Sequence, residues 1–420
     1  MVAPTGDGTR AFARTAPPGF LALLVMVLYA AFVVAYLADG HDIRDFIRIG
    51  PAYINKGDGR SREIHLDRGY RPPANQNPAT PGQGYDGQFA YYIALDPVHA
   101  RYYLDDASYR YSRILYPITA RATALGQRGA IPWTLLLINL LAIGGGAWGL
   151  GTWLRRRGAS AWWAVVYGLW PGMVIALQRD LTEPLGYGLT IAGILALDGR
   201  GRWRVPTAGV AFGLAGLARQ TTLVFPIILG LSLLMGAALR DRPQPTRTER
   251  RWRALVLLGL SLGPYAAYWI FLHIWLGGVS NGGTLTPVPF GGLLHPPYRL
   301  ARQGIDLAFI VGPTLVILAV LLVHLRRSRD QPAAPPACWL PWSLLAANVL
   351  LNIVFYARSY LDPYTGATRQ ASGIVLSALL CLPCAAHLGW RQRQWLLAAT
   401  AVAMLMLPVV VVYGFTNVSA

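Results

Sequence analysis

Lysine is almost missing from this chain: Lys56 stands alone beside 36 arginines. The scarcity reads as compositional bias rather than chemistry. It leaves the fixed positive charge to guanidinium groups, which grip carboxylates and phosphates in a forked geometry. Charge of either sign is also sparse, at 13% of residues against 54% hydrophobic. A soluble fold of 420 residues is hard to cover with so little charge, and a mean hydropathy of +0.38 points into a bilayer. Acidic residues number 19 against 37 basic ones, a net charge of +18. Nucleic acid is nonetheless a poor partner, because the arginines sit in short clusters between apolar runs, as in loops retained in the cytoplasm. Cysteine is limited to Cys338, Cys381 and Cys384, too few for a disulfide framework, and no His cluster accompanies the Cys-x-x-Cys pair. They read as small helix-packing residues. No Asp-x-Asp or Glu-x-Asp occurs in the first long loop, where Asp105-Asp106 is a tandem pair, so no metal or other cofactor is inferred and divalent-metal dependence stays open. Neither a soluble catalytic domain nor a convincing internal repeat is visible.

What the chain has is long apolar runs. Arg10 and Arg14 precede a first run over 20–37, too long for a signal-peptide core and without a small-x-small cleavage site, hence a retained first helix. Further runs cover 132–153, 161–177, 184–197, 205–217, 222–239, 254–276, 307–325, 339–356, 370–388 and 395–413. The expected fold is an all-α integral membrane protein with about 11 transmembrane helices, 10–12 allowing for the runs shorter than the ~20 residues a bilayer needs. Gly144-Gly145-Gly146, Gly149 and Gly151 lie inside one run and read as close helix packing rather than a phosphate loop.

Orientation follows from the arginines. Arg155-Arg156-Arg157, the stretch from Arg200 to Arg204, the 240–253 loop, Arg326-Arg327 and the Arg391/Arg393 pair share one face if the N-terminus is cytoplasmic. The layout is then a cytoplasmic tail over 1–19, a first transmembrane helix over 20–38, an extracytoplasmic loop with interfacial or re-entrant helices over 39–130, and a multi-helix membrane domain over 131–420. The short turns at 179–183 and 219–221 and the loops at 277–306 and 358–369 join the first loop outside. Charged residues in such short turns belong at the membrane surface or in a protein-lined cavity.

The most unusual segment runs from Gly84 to Pro97, beginning Gly84-Tyr85-Asp86-Gly87-Gln88-Phe89. Tyr85-Asp86-Gly87 has turn chemistry, and Phe89, Tyr92 and Ile93 share a face of a helix ending before Pro97, suited to lying along the interface. Asp86 then reads either as the helix N-cap or as a carboxylate facing a cavity. The run Arg113-Ile114-Leu115-Tyr116-Pro117 begins an element too short to cross, with Arg113 either an interface anchor or a phosphate contact.

These segments, with the Ala218-Arg219-Gln220 turn, resemble polytopic glycosyltransferases of the GT-C superfamily; the first loop is loosely similar to the Trp-Asp-Gly segment of mannosyltransferases in glycosylphosphatidylinositol assembly. The resemblance covers most of the chain in topology and only these short segments in residues. It implies a transferase that takes a sugar from a polyprenyl-phosphate carrier, with inversion, on the extracytoplasmic face of the cell (inner or plasma) membrane. It also implies a general-base Asp in the first outer loop, a role that falls on Asp86. Asp96, Asp180 and Glu183 are reserve acids. Arg113, Arg179, Arg219, Arg358, Arg369 and Gln88 are the candidates for donor phosphate and substrate. Physically, a donor phosphate at headgroup level needs arginines held at outer helix ends, and an acceptor hydroxyl on a glycan, lipid or protein needs a carboxylate within hydrogen-bond reach.

Two other classes suit parts of the sequence. A transporter or lipid flippase predicts ionisable residues near the bilayer midplane, whereas here they stand at span ends, His273 and His324 included. A non-catalytic scaffold rests on the Pro- and Arg-rich stretch over 61–81 alone.

Overall fold

The computed structural model describes residues 16–50, 84–235, 246–280, 286–291, 304, 307–329, 339–355, 366–384 and 390–419. Among these the regular structure is helical throughout, without a strand. The helices are α1 (Pro18–Ala38), α2 (Gly87–Leu95), α3 (Ala107–Tyr111), α4 (Leu115–Thr123), α5 (Ile131–Arg156), α6 (Trp163–Gly168), α7 (Pro171–Gln178) and α8 (Glu183–Leu197). They continue as α9 (Arg204–Ala218), α10 (Val224–Leu234), α11 (Arg247–Leu276), α12 (Gly312–Arg329), α13 (Trp339–Val349), α14 (Ser372–Leu380), α15 (Trp390–Met404) and α16 (Met406–Ser419).

Among the described residues four helical stretches are long and apolar enough to cross a membrane: Pro18–Ala38, Arg128–Arg156, Arg247–Leu276 and Trp390–Val412. Their ends follow local rules. Proline opens α1 and α5 within the first two positions, where its missing N–H is harmless. A Thr246/Glu249 capping box starts α11, and Gly277 in the left-handed region closes it. Shorter apolar helices, among them Glu183–Leu197 and Arg204–Ala218, pack beside the long ones.

One expected span is two helices. The run over 161–177 breaks at Leu169-Trp170 into α6 and α7, because Pro171 cannot donate to the preceding turn and its ring crowds it. The break is anchored: Trp170 donates through Nε1 to the Thr368 carbonyl at 2.8 Å.

Close approach of backbones explains the glycine run in α5. A methyl on Gly144 would meet Met26, one on Gly146 Tyr167, one on Gly149 Ile191, and one on Gly151 both Pro18 and Ala164. Thus α1, α6 and α8 all lean on the glycine face of α5. The Gly151 contact places the start of α1 beside the end of α5, and Arg157 pairs with Asp198 at 2.7 Å. The N-terminal end of α1 and the C-terminal ends of α5 and α8 therefore share one end of the bundle.

Two expectations need correction here. The helix α2 has no free face to lay in a headgroup layer: all nine of its residues are buried, packed on α4 and α5 with Ile47, Ile49 and Leu272 around it. An interfacial helix would leave one face uncovered. The cysteines also divide, with Cys381 a buried free thiol that packs among helices and Cys384 disulfide-bonded.

Candidate functional site

At the opposite end of the bundle, six separate segments meet: 48–50, 84–87, 109–113, 179–183, 219–220 and 369–370. Gly84, at φ +65, is wedged against the backbone of Arg48 and Gly50, and Tyr85 donates its N–H to the Arg48 carbonyl at 2.8 Å. Gly87 packs its Cα on the Arg179 carbonyl, where a Cβ would collide. These contacts fix the Tyr85-Asp86 step against the turn that follows α7.

Asp86 occupies the N-cap position of α2 but makes no capping hydrogen bond. Its carboxylate turns outward instead. Oδ1 lies 2.9 Å from Arg110 Nη1, and Oδ2 accepts from Arg369 Nη2 at 3.4 Å. The side chain keeps 31% of its surface accessible. Burial raises its pKa, but the charges of Arg110, Arg369 and Arg113 outweigh that, so Asp86 is held well below the usual carboxylate range.

Glu183 opens α8 and is fully buried. Its Oε1 lies 2.9 Å from Arg219 Nη1 and accepts from Arg369 Nε at 2.6 Å, while the positive end of the α8 dipole favours the anion. Arg369 then donates to the Tyr85 hydroxyl at 2.8 Å, and Arg219 donates to Gln370 at 2.9 Å. The guanidinium of Arg179 stacks on the Tyr85 ring, 4.2 Å from its centroid, rather than pairing Glu183. On the remaining side Arg113 donates to Gln220 at 3.4 Å and to the Tyr109 hydroxyl.

Asp180 is the odd member. It is fully buried at φ +46, in the left-handed region that Asp tolerates better than most residues, and neither carboxylate oxygen has a hydrogen-bond partner. Tyr116 stands nearby, but its hydroxyl donates to the Leu135 carbonyl at 3.0 Å and accepts from Asn139 at 2.8 Å. Burial pushes the Asp180 pKa well above the ordinary value, with Tyr116 a weaker opposing influence.

Two cavities adjoin the cluster. One of about 720 Å³ is lined by Arg113, Arg219 and Gln220 at its polar part and by Leu223, Val224, Ile227 and Trp269 elsewhere. The other, of about 20 Å³, holds Asp86, Asp180, Glu183, Arg110 and Arg369. Arg113 lines both, and Glu183 of the smaller is bonded to Arg219 of the larger. Arginines 110, 113, 219 and 369 line the two cavities, and Glu183 bonds both Arg219 and Arg369. Guanidinium groups on both sides of the wall between the cavities suit an anion there.

Of the residues expected from sequence, Asp86, Asp180, Glu183, Arg113, Arg179, Arg219 and Arg369 come together. Gln88 does not belong with them: it is fully buried and accepts from the Gly50 N–H at 3.0 Å, turned away by the helical step from Asp86. Asp96 does not either. At the other end of α2, about 13 Å away along a nine-residue helix, it accepts from Val98 N, His99 N and the His99 ring, closing a turn. Arg358 lies outside the described residues. Sequence reading missed Arg110, which also grips Asp105 at 2.6 and 2.7 Å and stacks on Phe89 at 4.1 Å. Nothing local marks it, since the Tyr-Arg-Tyr setting says only that an arginine has aromatic neighbours. Among the described residues no group of three or more His, Cys, Asp or Glu is placed to hold a metal ion.

Compared with models of known protein families and with curated protein sequences, the chain matches none.

Proposed function

We propose that this chain is an integral membrane glycosyltransferase of GT-C type, with about eleven spans and a cytoplasmic N-terminus, that moves a sugar from a polyprenyl-phosphate donor to an acceptor on the extracytoplasmic face. The observation that carries this reading is the juxtaposition of the two cavities across Arg113. The large one pairs guanidinium groups with an apolar wall, which suits a lipid phosphate, and the small one presents the carboxylate of Asp86. In this reading the arginines bind the phosphate that leaves with the bonding electron pair. Asp86 takes the proton of the acceptor hydroxyl as the hydroxyl oxygen attacks the anomeric carbon. A transporter reading fits less well, because among the described residues the fully buried charged side chains Asp180, Glu183 and Arg219 stand together at one end of the bundle.

The test is transfer from polyprenyl-phosphate sugars by the full chain in proteoliposomes, comparing wild type with Asp86→Asn. The variant is expected to insert, to melt somewhat lower at neutral pH because Arg110 and Arg369 lose that carboxylate, and in its folded form to lose about 10²–10⁴-fold in rate. A variant as active as wild type would remove Asp86 as the base, and vesicle uptake without transfer would favour transport.

A further inference from the structure

The base of the proposed reaction is blocked as it stands. Each oxygen of Asp86 faces a guanidinium, Arg110 at Oδ1 and Arg369 at Oδ2. A carboxylate between two cations is a weak proton acceptor, so one contact must open before the hydroxyl can be deprotonated. The two are unequal. Arg369 reaches Asp86 at 3.4 Å but Glu183 at 2.6 Å and the Tyr85 hydroxyl at 2.8 Å, so Asp86 is its loosest partner. Arg110 reaches Asp86 at 2.9 Å while Asp105 holds it through Nε and Nη2, at 2.7 and 2.6 Å. Its guanidinium also lies over the Phe89 ring, 4.1 Å from the centroid, and near Tyr109. Arg110 is therefore fixed by three neighbours that do not include the base, and Arg369 is anchored away from it.

We propose that Arg110, clamped by Asp105 and Phe89, is a positioning residue that holds Asp86 by Oδ1 and leaves Oδ2 as the oxygen that takes the acceptor's proton once a donor phosphate has drawn Arg369 aside. This rests on the glycosyl-transfer reading above. Arg369 and Arg219 meet on the same oxygen of Glu183, so a phosphate bound at Arg219 and Arg113 competes for Arg369 directly. The step balances: the hydroxyl proton goes to Oδ2, the hydroxyl oxygen bonds to the anomeric carbon, and the carbon–phosphate-oxygen bond breaks with its electrons on the phosphate. The charged and titratable groups around Asp86 are Arg110 and Arg113 from the first loop, Asp180 and Glu183 from the α7–α8 turn, and Arg369 before α14. Because the base is freed by the donor, an acceptor alone meets a masked carboxylate.

The experiment is the pH dependence of kcat/KM and kcat for transfer from polyprenyl phosphates carrying a hexose or a pentose, using the full chain in phosphatidylethanolamine–phosphatidylglycerol nanodiscs. Wild type, Arg110→Gln, Arg110→Lys and Asp105→Asn are compared. In wild type the acid limb is expected to lie below the accessible range. In Arg110→Gln it moves up by about 1–3 pH units, as removal of one opposite charge dictates. In that variant kcat falls by about 10²-fold with KM for the donor within about threefold, since orientation of the base and not donor binding is lost. Arg110→Lys restores the limb, and Asp105→Asn, which loosens the clamp without removing the cation, lowers kcat with little shift of the limb. If Arg110→Gln folds and keeps the wild-type profile, the inference falls and the glycosyl-transfer reading stands; where that variant does not fold, Asp105→Asn with unchanged kcat has the same meaning. A wild type that transfers from none of the donors removes both.

Discussion

Asp86 and Asp180 line the same void of about 20 Å³, yet their surroundings drive their protons in opposite directions. Asp86 has guanidinium partners that outweigh its burial; Asp180 has burial and no cation bonded to it. The sign of each contribution to stability follows. The lowered pKa of Asp86 stabilises the fold above the unfolded value near 4, and that stability is lost only as pH falls through the folded value. The raised pKa of Asp180 gives stability present below the unfolded value and lost as pH rises toward the folded one. Asp180→Asn removes the second effect. Between pH 4 and neutrality the variant is expected to gain on wild type by up to about 1.4 kcal/mol per pH unit, read from melting curves in detergent. Parallel curves for the two proteins would contradict a protonated Asp180.

Glu183 supports two arginines that are 1% and 5% exposed. Replacing it by Leu leaves Arg219 and Arg369 buried without their shared anion, a loss of about 3–5 kcal/mol. Denaturation of the solubilised protein measures this. The Glu183→Asp variant, which keeps the charge on a shorter arm, is expected to recover part of the loss. A Glu183→Leu protein as stable as wild type would mean that the arginines find other anions.

Gly87 carries the contact between the start of α2 and the Arg179 carbonyl. Gly87→Ala places a methyl against backbone that has no rotamer to yield, costing about 1–3 kcal/mol. More usefully, it separates the Tyr85-Asp86 step from Arg179 and Arg369, so under the proposed reaction transfer is expected to fall further than stability. Gly145→Ala is the control, because nothing stands within 4 Å of its added methyl. Equal effects in the two variants would argue against the wedge.

How far the site is legible in sequence depends on distance along the chain. The arginine clusters sort the turns by side, and the turns sorted to one side do meet, Arg369 on Glu183 and Arg219 on Glu183. Likewise the Arg157–Asp198 pair joins two turns sorted to the other. The division of 161–177 is not legible, since the apolar run reads as one span: Pro171 opens the second helix, but Pro264 lies inside the continuous α11, so a proline alone does not mark a break. Illegible were the assignments that need rotation about a helix or a partner far away. Gln88 neighbours Asp86 in sequence but the helical step carries it to Gly50, and Arg110 acquires meaning only from Asp86. From its local sequence Asp86 reads first as a cap, whereas its carboxylate leaves the helix end for the two arginines.

The bond between Glu183 and Arg369 closes across 186 residues. At the usual 5–20 residues per second of synthesis, Glu183 precedes its second counter-charge by roughly 10–40 s. During that interval the nascent chain holds the carboxylate with Arg219 as its nearer partner in sequence. The polar cluster is therefore completed only after residue 369 has been made. A chain cut short before residue 369 carries Glu183 with Arg219 but without the closing arginine, so its buried carboxylate is left with one counter-charge in place of two.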